Sequence, residues 1–204
     1  MLRSSAVFCF LFCLTIACKD GKDNLIVIHD LLNDAAKVRF HNVTVLTYDA
    51  DKKPICSKNG SAIKFPGFLS IAGGQIEITE SLSSVSDGVK LDFTTEHNSF
   101  FIGQVCSNGK SENAFVPEDL CHQNLCELVG QQTCDLLKTK QTIDARALFD
   151  DYFPLPASPV SEIGGEWRLE VRIKVQSEEV ARIRAGHSDE WIEILVDEET
   201  HEEL

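Results

Sequence analysis

The chain has 204 residues, which suits one domain with a substantial core. Its hydrophobic fraction of 43% and charged fraction of 25% are typical of globular proteins. A net charge of −13 argues against a nucleic-acid partner, because phosphate contacts require clustered lysine and arginine, and against docking on anionic membranes.

The first 17 residues have the pattern of a secretory signal peptide. Arg3 supplies a positive start, residues 6–16 are apolar, and Ala17 is a small residue at the cleavage point. The apolar run is shorter than a bilayer-spanning helix requires, although a retained anchor is the alternative. We therefore expect a mature domain at residues 18–196 and an acidic tail at 197–204.

Six cysteines remain after such cleavage, and an even number in an oxidising compartment favours disulfides. Six cysteines allow fifteen pairings, and their order does not select one. Cys121, His122 and Cys126 also offer zinc ligands, but no second ligand pair follows at zinc-finger spacing. The predicted disulfide residues are Cys18, Cys56, Cys106, Cys121, Cys126 and Cys134.

Short β-strands dominate the predicted elements. Residues 25–32 are apolar but fit no single element type, and residues 117–129 have a helix-like start that Gly130 ends. Residues 73–74 (GG) predict a turn, and residues 138–151 fit either a helix or an irregular strand. The predicted strands are residues 38–48, 75–79, 89–93, 100–106, 166–175, 180–185 and 191–196.

Residues 166–175 (EWRLEVRIKV) show the clearest alternation in the chain, with apolar odd positions and charged even positions. Such a strand lies on a sheet with one dry face and one wet face. Seven to nine strands with one or two short helices predict a mainly β, disulfide-linked fold, an immunoglobulin-like two-sheet β-sandwich.

Two sequons, at Asn42 and Asn59, are candidate glycosylation sites in the secretory pathway. The chain ends in HEEL (His201, Glu202, Glu203, Leu204), a close variant of the signals that return proteins to the endoplasmic reticulum. A retrieval receptor is therefore a predicted partner. The endoplasmic reticulum lumen is the predicted location, in preference to secretion.

Several segments of the second half resemble the ML lipid-recognition family, which includes the ganglioside activator and the phosphatidylglycerol/phosphatidylinositol transfer proteins. The resemblance lies in residues 125–129 (LCELV), 134–136 (CDL), 153–156 (FPLP) and 164–171 (GGEWRLEV). It covers residues 38–196 in all. The cysteine that this family carries in its penultimate strand is missing here, which leaves Cys18 and Cys56 to pair with each other.

The resemblance implies a non-catalytic carrier that holds an acyl chain, a sterol or a glycolipid tail between two sheets, without a cofactor. Each expected wall residue has a plain alternative as a core residue that touches no ligand. The expected wall of the cavity is Leu91, Phe93, Phe101, Phe149, Phe153, Leu155, Trp167, Leu169, Val171 and Ile173.

Two other classes of function compete with this one. An enzyme is disfavoured because none of the six histidines lies in a recognisable catalytic motif. A protein-interaction module of the endoplasmic reticulum, such as a co-chaperone or a receptor accessory, remains the alternative. A closed core with an exposed apolar patch would favour that module, whereas an enclosed apolar tunnel would favour a lipid carrier.

Overall fold

A computed structural model of the chain describes residues 18–82, 85, 88–148, 151–157 and 163–196. The predicted signal peptide, Phe149 and the tail with its HEEL sequence lie outside the described residues.

The described residues form a mainly β structure with few short helices, as predicted. Two α-helices, α1 (Leu125–Val129) and α2 (Gln131–Asp135), follow one another directly. The strands are β1 (Leu25–Asp30), β2 (Val38–Asp49), β3 (Cys56–Ser57), β4 (Gly60–Lys64), β5 (Gly67–Ile78), β6 (Val89–His97), β7 (Gln104–Ser107), β8 (Lys110–Ser111), β9 (His122–Asn124), β10 (Gln141–Asp144), β11 (Phe153–Leu155), β12 (Gly165–Val175), β13 (Glu178–Ala185) and β14 (Ile192–Leu195).

The strands belong to one curled sheet in which hydrogen bonding runs continuously through β1. The first half of β1 pairs with β2, as in Leu25 opposite Leu46. Its second half pairs with β13, as in Ile28 opposite Ala185. The sheet therefore has a β2–β5 half and a β6–β12–β13 half, and one strand contributes to both.

Strand β12 confirms the predicted alternation. Trp167, Ile173 and Val175 are buried on its inner face. On its outer face Lys174 pairs with Asp92 at 2.6 Å, and Glu170 lies between several arginines. Burial of one row and ion pairing of the other explain why charged and apolar residues alternate here.

The Gly-Gly pair at 73–74 does not turn the chain, so that prediction is wrong. Both residues lie inside β5, where its register with β2 shifts beside His41 and Thr44. Gly74 has a φ of +109°, and a Cβ there would lie 2.5 Å from the Cα of Val43. A glycine is needed because the two backbones approach so closely.

Three further predictions are wrong in detail. Residues 98–103 form a turn closed by the His97 N–H, which donates to the Gly103 carbonyl at 2.8 Å, and β7 begins only at Gln104. Residues 117–129 contain a 3₁₀ turn, β9 and then the short helix α1. The described residues contain fourteen strands instead of seven to nine. Four of them, β3, β8, β9 and β11, have only two or three residues and are too short to show alternation.

All six cysteines of the described residues form disulfides: Cys18–Cys56, Cys106–Cys121 and Cys126–Cys134. This confirms the disulfide-linked class. The Cys18–Cys56 bond is the pairing expected where this chain departs from the family pattern, since the penultimate-strand cysteine is missing. The thiolates of Cys121 and Cys126 are consequently not free to bind zinc.

A buried polar side chain, Asn24, fixes the first described residues beside the Cys18–Cys56 disulfide. The Asn24 amide donates to the Thr47 carbonyl and to the Asp20 carboxylate, each at 3.1 Å. The Tyr48 hydroxyl donates to the same carboxylate at 2.9 Å. Burial, reinforced by Asp20, raises the pKa of Tyr48 to about 12, so its hydroxyl keeps its proton near neutral pH.

We expect Gly74→Ala to lower the free energy of unfolding by about 2–4 kcal/mol, because it adds a Cβ at a positive φ and against backbone. Gly73→Ala is the matched control, since a Cβ at Gly73 would meet no atom within 4 Å. That control should change stability by less than about 0.5 kcal/mol. Urea unfolding of both variants measures the difference, and equal midpoints would contradict the close approach of β2 and β5.

Candidate apolar binding cavity

The interior contains a cavity of about 420 Å³ between the two halves of the sheet. From the β2–β5 half it is lined by Val38, Phe40, Val43, Val45, Leu69, Ile71 and Ile76. From the β6–β12–β13 half it is lined by Leu91, Phe93, Val171, Ile173 and Ile183. Each strand contributes its inward row, so the same alternation that builds the sheet makes both walls apolar.

The third side of the cavity consists of the two short helices and the segment that follows them. Its lining includes Leu125, Leu128 and Val129 of α1 and the side chains of Leu148, Phe153 and Leu155. Leu128 also faces solvent, with 40% of its surface exposed. The mouth of the cavity therefore lies at α1.

Local capping and a disulfide position the mouth helix. The Asn124 side chain accepts a hydrogen bond from the Cys126 N–H at 3.0 Å and so caps α1. Gly130, with a φ of +81°, ends the helix where the sequence predicted. The Cys126–Cys134 disulfide ties α1 to α2, and Cys134 itself lines the cavity.

The lining contains almost no free hydrogen-bonding capacity. Among the described residues that line the cavity, Thr133 alone has a hydroxyl, amide or charged side chain. Its hydroxyl already donates to the Leu148 carbonyl at 3.1 Å. A charged or polar group inside the cavity would lose its hydration without replacement, so the cavity suits an apolar guest.

Six of the ten expected wall residues line this cavity. These are Leu91, Phe93, Phe153, Leu155, Val171 and Ile173. Phe101 does not, because it lies in the turn before β7 with 93% of its surface exposed. Leu169 and Trp167 are also outside the lining, although both are on the inner face of β12.

Trp167 belongs to a second buried cluster, at the other end of β12. It is buried together with Val105, Ile194 and the Cys106–Cys121 disulfide. Its indole N–H donates to the Gly164 carbonyl at 2.8 Å, which satisfies the one polar atom of the side chain. Alternation identifies the inward face of a strand, but it does not show whether the opposing surface packs against that face.

The sequence reasoning missed the wall provided by β2 and β5. Residues 38–48 were predicted as a strand from their β-branched and aromatic residues, and that prediction is confirmed. The predicted strand contains the wall residues Phe40, Val43 and Val45. The segments that resemble the ML family lie in the second half of the chain and do not include them. The bulge at Gly74 also interrupts the alternation of β5.

Both sequon asparagines are exposed. Asn42 lies in β2 with a φ of +52°, at the bulge opposite Gly74, and its side chain faces solvent. Asn59 lies in the turn between β3 and β4. Neither position is buried, so both remain candidate glycosylation sites.

The chain matches no model of a known protein family and shows no significant similarity to curated proteins. None of the helices in the described ranges is long and apolar enough to span a membrane. Within the same ranges, no three histidine, cysteine or acidic side chains are grouped so that they could hold a metal ion.

Shortening a side chain that is packed on all sides costs more stability than shortening one that borders a cavity. We expect Ile194→Ala, in the buried cluster around Trp167, to lower the free energy of unfolding by about 3 kcal/mol or more. Ile183→Ala, at the cavity wall, should cost about half as much, because its side chain already lacks neighbours on one side. Denaturant unfolding of the ligand-free protein compares them, and equal costs would show that the interior is filled.

Proposed function

We propose that this protein is a non-catalytic lipid-binding protein of the secretory pathway that holds the apolar tail of an amphiphile inside the sheet. The observation that carries the proposal is the apolar cavity with its mouth at α1. Its volume of about 420 Å³ falls within the roughly 300–1,000 Å³ that is usual for small-molecule sites.

The affinity of such a site comes from removal of alkyl surface from water. Each buried methylene group contributes about 0.8 kcal/mol, which corresponds to roughly a fourfold change in dissociation constant. The lining offers almost no polar partner, because Thr133 is the one polar side chain among the described lining residues and it already donates its hydroxyl proton to the Leu148 carbonyl. The head group of the amphiphile therefore stays at the mouth, beside α1, while the tail enters.

The open interior favours a carrier over a protein-interaction module of the endoplasmic reticulum, which would need no cavity. Three disulfides support passage through the oxidising secretory pathway. Retention in the lumen through His201–Leu204 is part of the proposal and rests on the sequence alone.

The first test is extraction of the protein, purified from a eukaryotic secretory host, with organic solvent followed by mass spectrometry. We expect a stoichiometric amphiphile. Titration of the delipidated protein with fatty acids of increasing length should lower the dissociation constant about fourfold per methylene until the cavity is full. Absence of a bound amphiphile together with no dependence on chain length would contradict the proposal.

The variant Val171→Trp tests whether the cavity is the binding site, because the larger side chain would occupy the space that Val171 lines. We expect it to weaken fatty-acid binding at least tenfold while circular dichroism remains unchanged. Val171→Ala is the control, since it widens the cavity and should retain binding. Undiminished binding by a folded Val171→Trp protein would place the ligand elsewhere.

The disulfide at the mouth should control how long a ligand stays bound. We expect the double variant Cys126→Ser, Cys134→Ser to lose about 2–3 kcal/mol of stability and to release a fluorescent fatty acid faster. The control is Cys18→Ser, Cys56→Ser, because neither cysteine lines the cavity. Stopped-flow measurement of release separates the two, and equal release rates would show that the mouth does not depend on its disulfide.

A further inference from the structure

Three phenylalanines in the loops that precede β7 and follow β8 are almost fully exposed. Phe100, Phe101 and Phe115 have 98%, 93% and 94% of their surface accessible. The first two rings stack edge to face with their centroids 5.7 Å apart. Single exposed apolar residues are ordinary, but three projecting aromatic rings in two short loops are a feature that requires an explanation.

The two loops are well anchored. Residues 98–103 precede β7, and residues 113–117 follow β8. Each loop packs one aliphatic residue, Ile102 or Val116, against the core that contains Trp167. The Glu112 N–H donates to the Val105 carbonyl at 2.9 Å, which holds the second loop beside β7. The exposed rings are therefore presented by loops that Ile102 and Val116 anchor to the core.

Both loops lack charge, which is unusual in this chain. Residues 98–103 (NSFFIG) and 113–117 (NAFVP) contain no acidic or basic residue, although the protein carries a net charge of −13. Glu112, Glu118 and Asp119 flank the second loop and are exposed, but the two loops themselves can enter an apolar or interfacial environment without the desolvation that a charge would require. Phenylalanine is also one of the residues with which interfacial segments enter the boundary between head groups and acyl chains.

We propose that Phe100, Phe101 and Phe115 insert into the interface of a neutral lipid bilayer and dock the protein on it. Three rings together bury about 450–750 Å². This is less than the roughly 800 Å² that each partner of a stable protein complex usually contributes, so a bilayer is the better match. The net charge of −13 selects zwitterionic over anionic lipid, because like charges repel.

Docking by these loops is separate from occupancy of the cavity. Strand β6 contributes Leu91 and Phe93 to the cavity wall, and the first loop begins only after its last residue, His97. None of the three exposed phenylalanines lines the cavity. The inference therefore goes beyond the proposed function, and its failure would leave the lipid-binding proposal intact.

Flotation of the mature protein with phosphatidylcholine vesicles tests the proposal, with and without added phosphatidylserine at low salt. We expect the protein to float with neutral vesicles and less with anionic ones. The triple variant Phe100→Ser, Phe101→Ser, Phe115→Ser should partition about a thousandfold more weakly, at about tenfold per ring. Val196→Ser is the control, because Val196 is 46% exposed but lies outside both loops, and it should float like the original protein.

Circular dichroism and fatty-acid binding of the triple variant should match those of the original protein, since all three rings are exposed. Failure of the original protein to float, flotation that the triple variant retains, or stronger flotation with anionic vesicles would each overturn the proposal. Sedimentation velocity tests the remaining alternative, in which a second copy of the chain covers the three phenylalanines. A dimer that the triple variant loses, in a protein that does not float, would assign the patch to self-association instead.

Discussion

The pairing of one strand with both halves of the sheet is the constraint on which the rest of the structure depends. Because Leu25–Asp30 bonds to β2 through its first residues and to β13 through its last, the backbone sets the relation of the two halves. Side-chain packing does not have to hold them at contact distance everywhere. An interior with a buried cluster around Trp167 and a cavity beside Val171 is compatible with this arrangement.

A hollow apolar interior is unfavourable by itself, since its lining side chains lack dispersion contacts on one side. The Cys126–Cys134 disulfide stabilises the third side of the cavity, where the chain has only short helical segments. The buried cluster around Trp167 contains its own disulfide, Cys106–Cys121. The cavity and the Trp167 cluster are therefore each stabilised by a separate disulfide within one sheet.

Much of the fold could be predicted from the sequence, because alternation in residues 166–175 and the even number of cysteines report directly on strand burial and cross-linking. The division of the interior into the Trp167 cluster and the cavity could not be predicted, since it depends on which residues lie opposite each inward side chain. Trp167 and Val171 occupy equivalent positions in the pattern and different ones in the interior. Phe101 shows the converse, because an apolar pair in a short turn resembles the beginning of a strand.

The close approach of β5 to β2 has a consequence for tracing distant relatives of this chain. Most wall residues can be exchanged among valine, leucine and isoleucine while the interior stays apolar, so they carry little information about ancestry. Gly74 has no such freedom, because every other side chain would collide with the backbone at Val43. A glycine at a bulge between two long strands is therefore a better marker of common descent than any residue of the cavity.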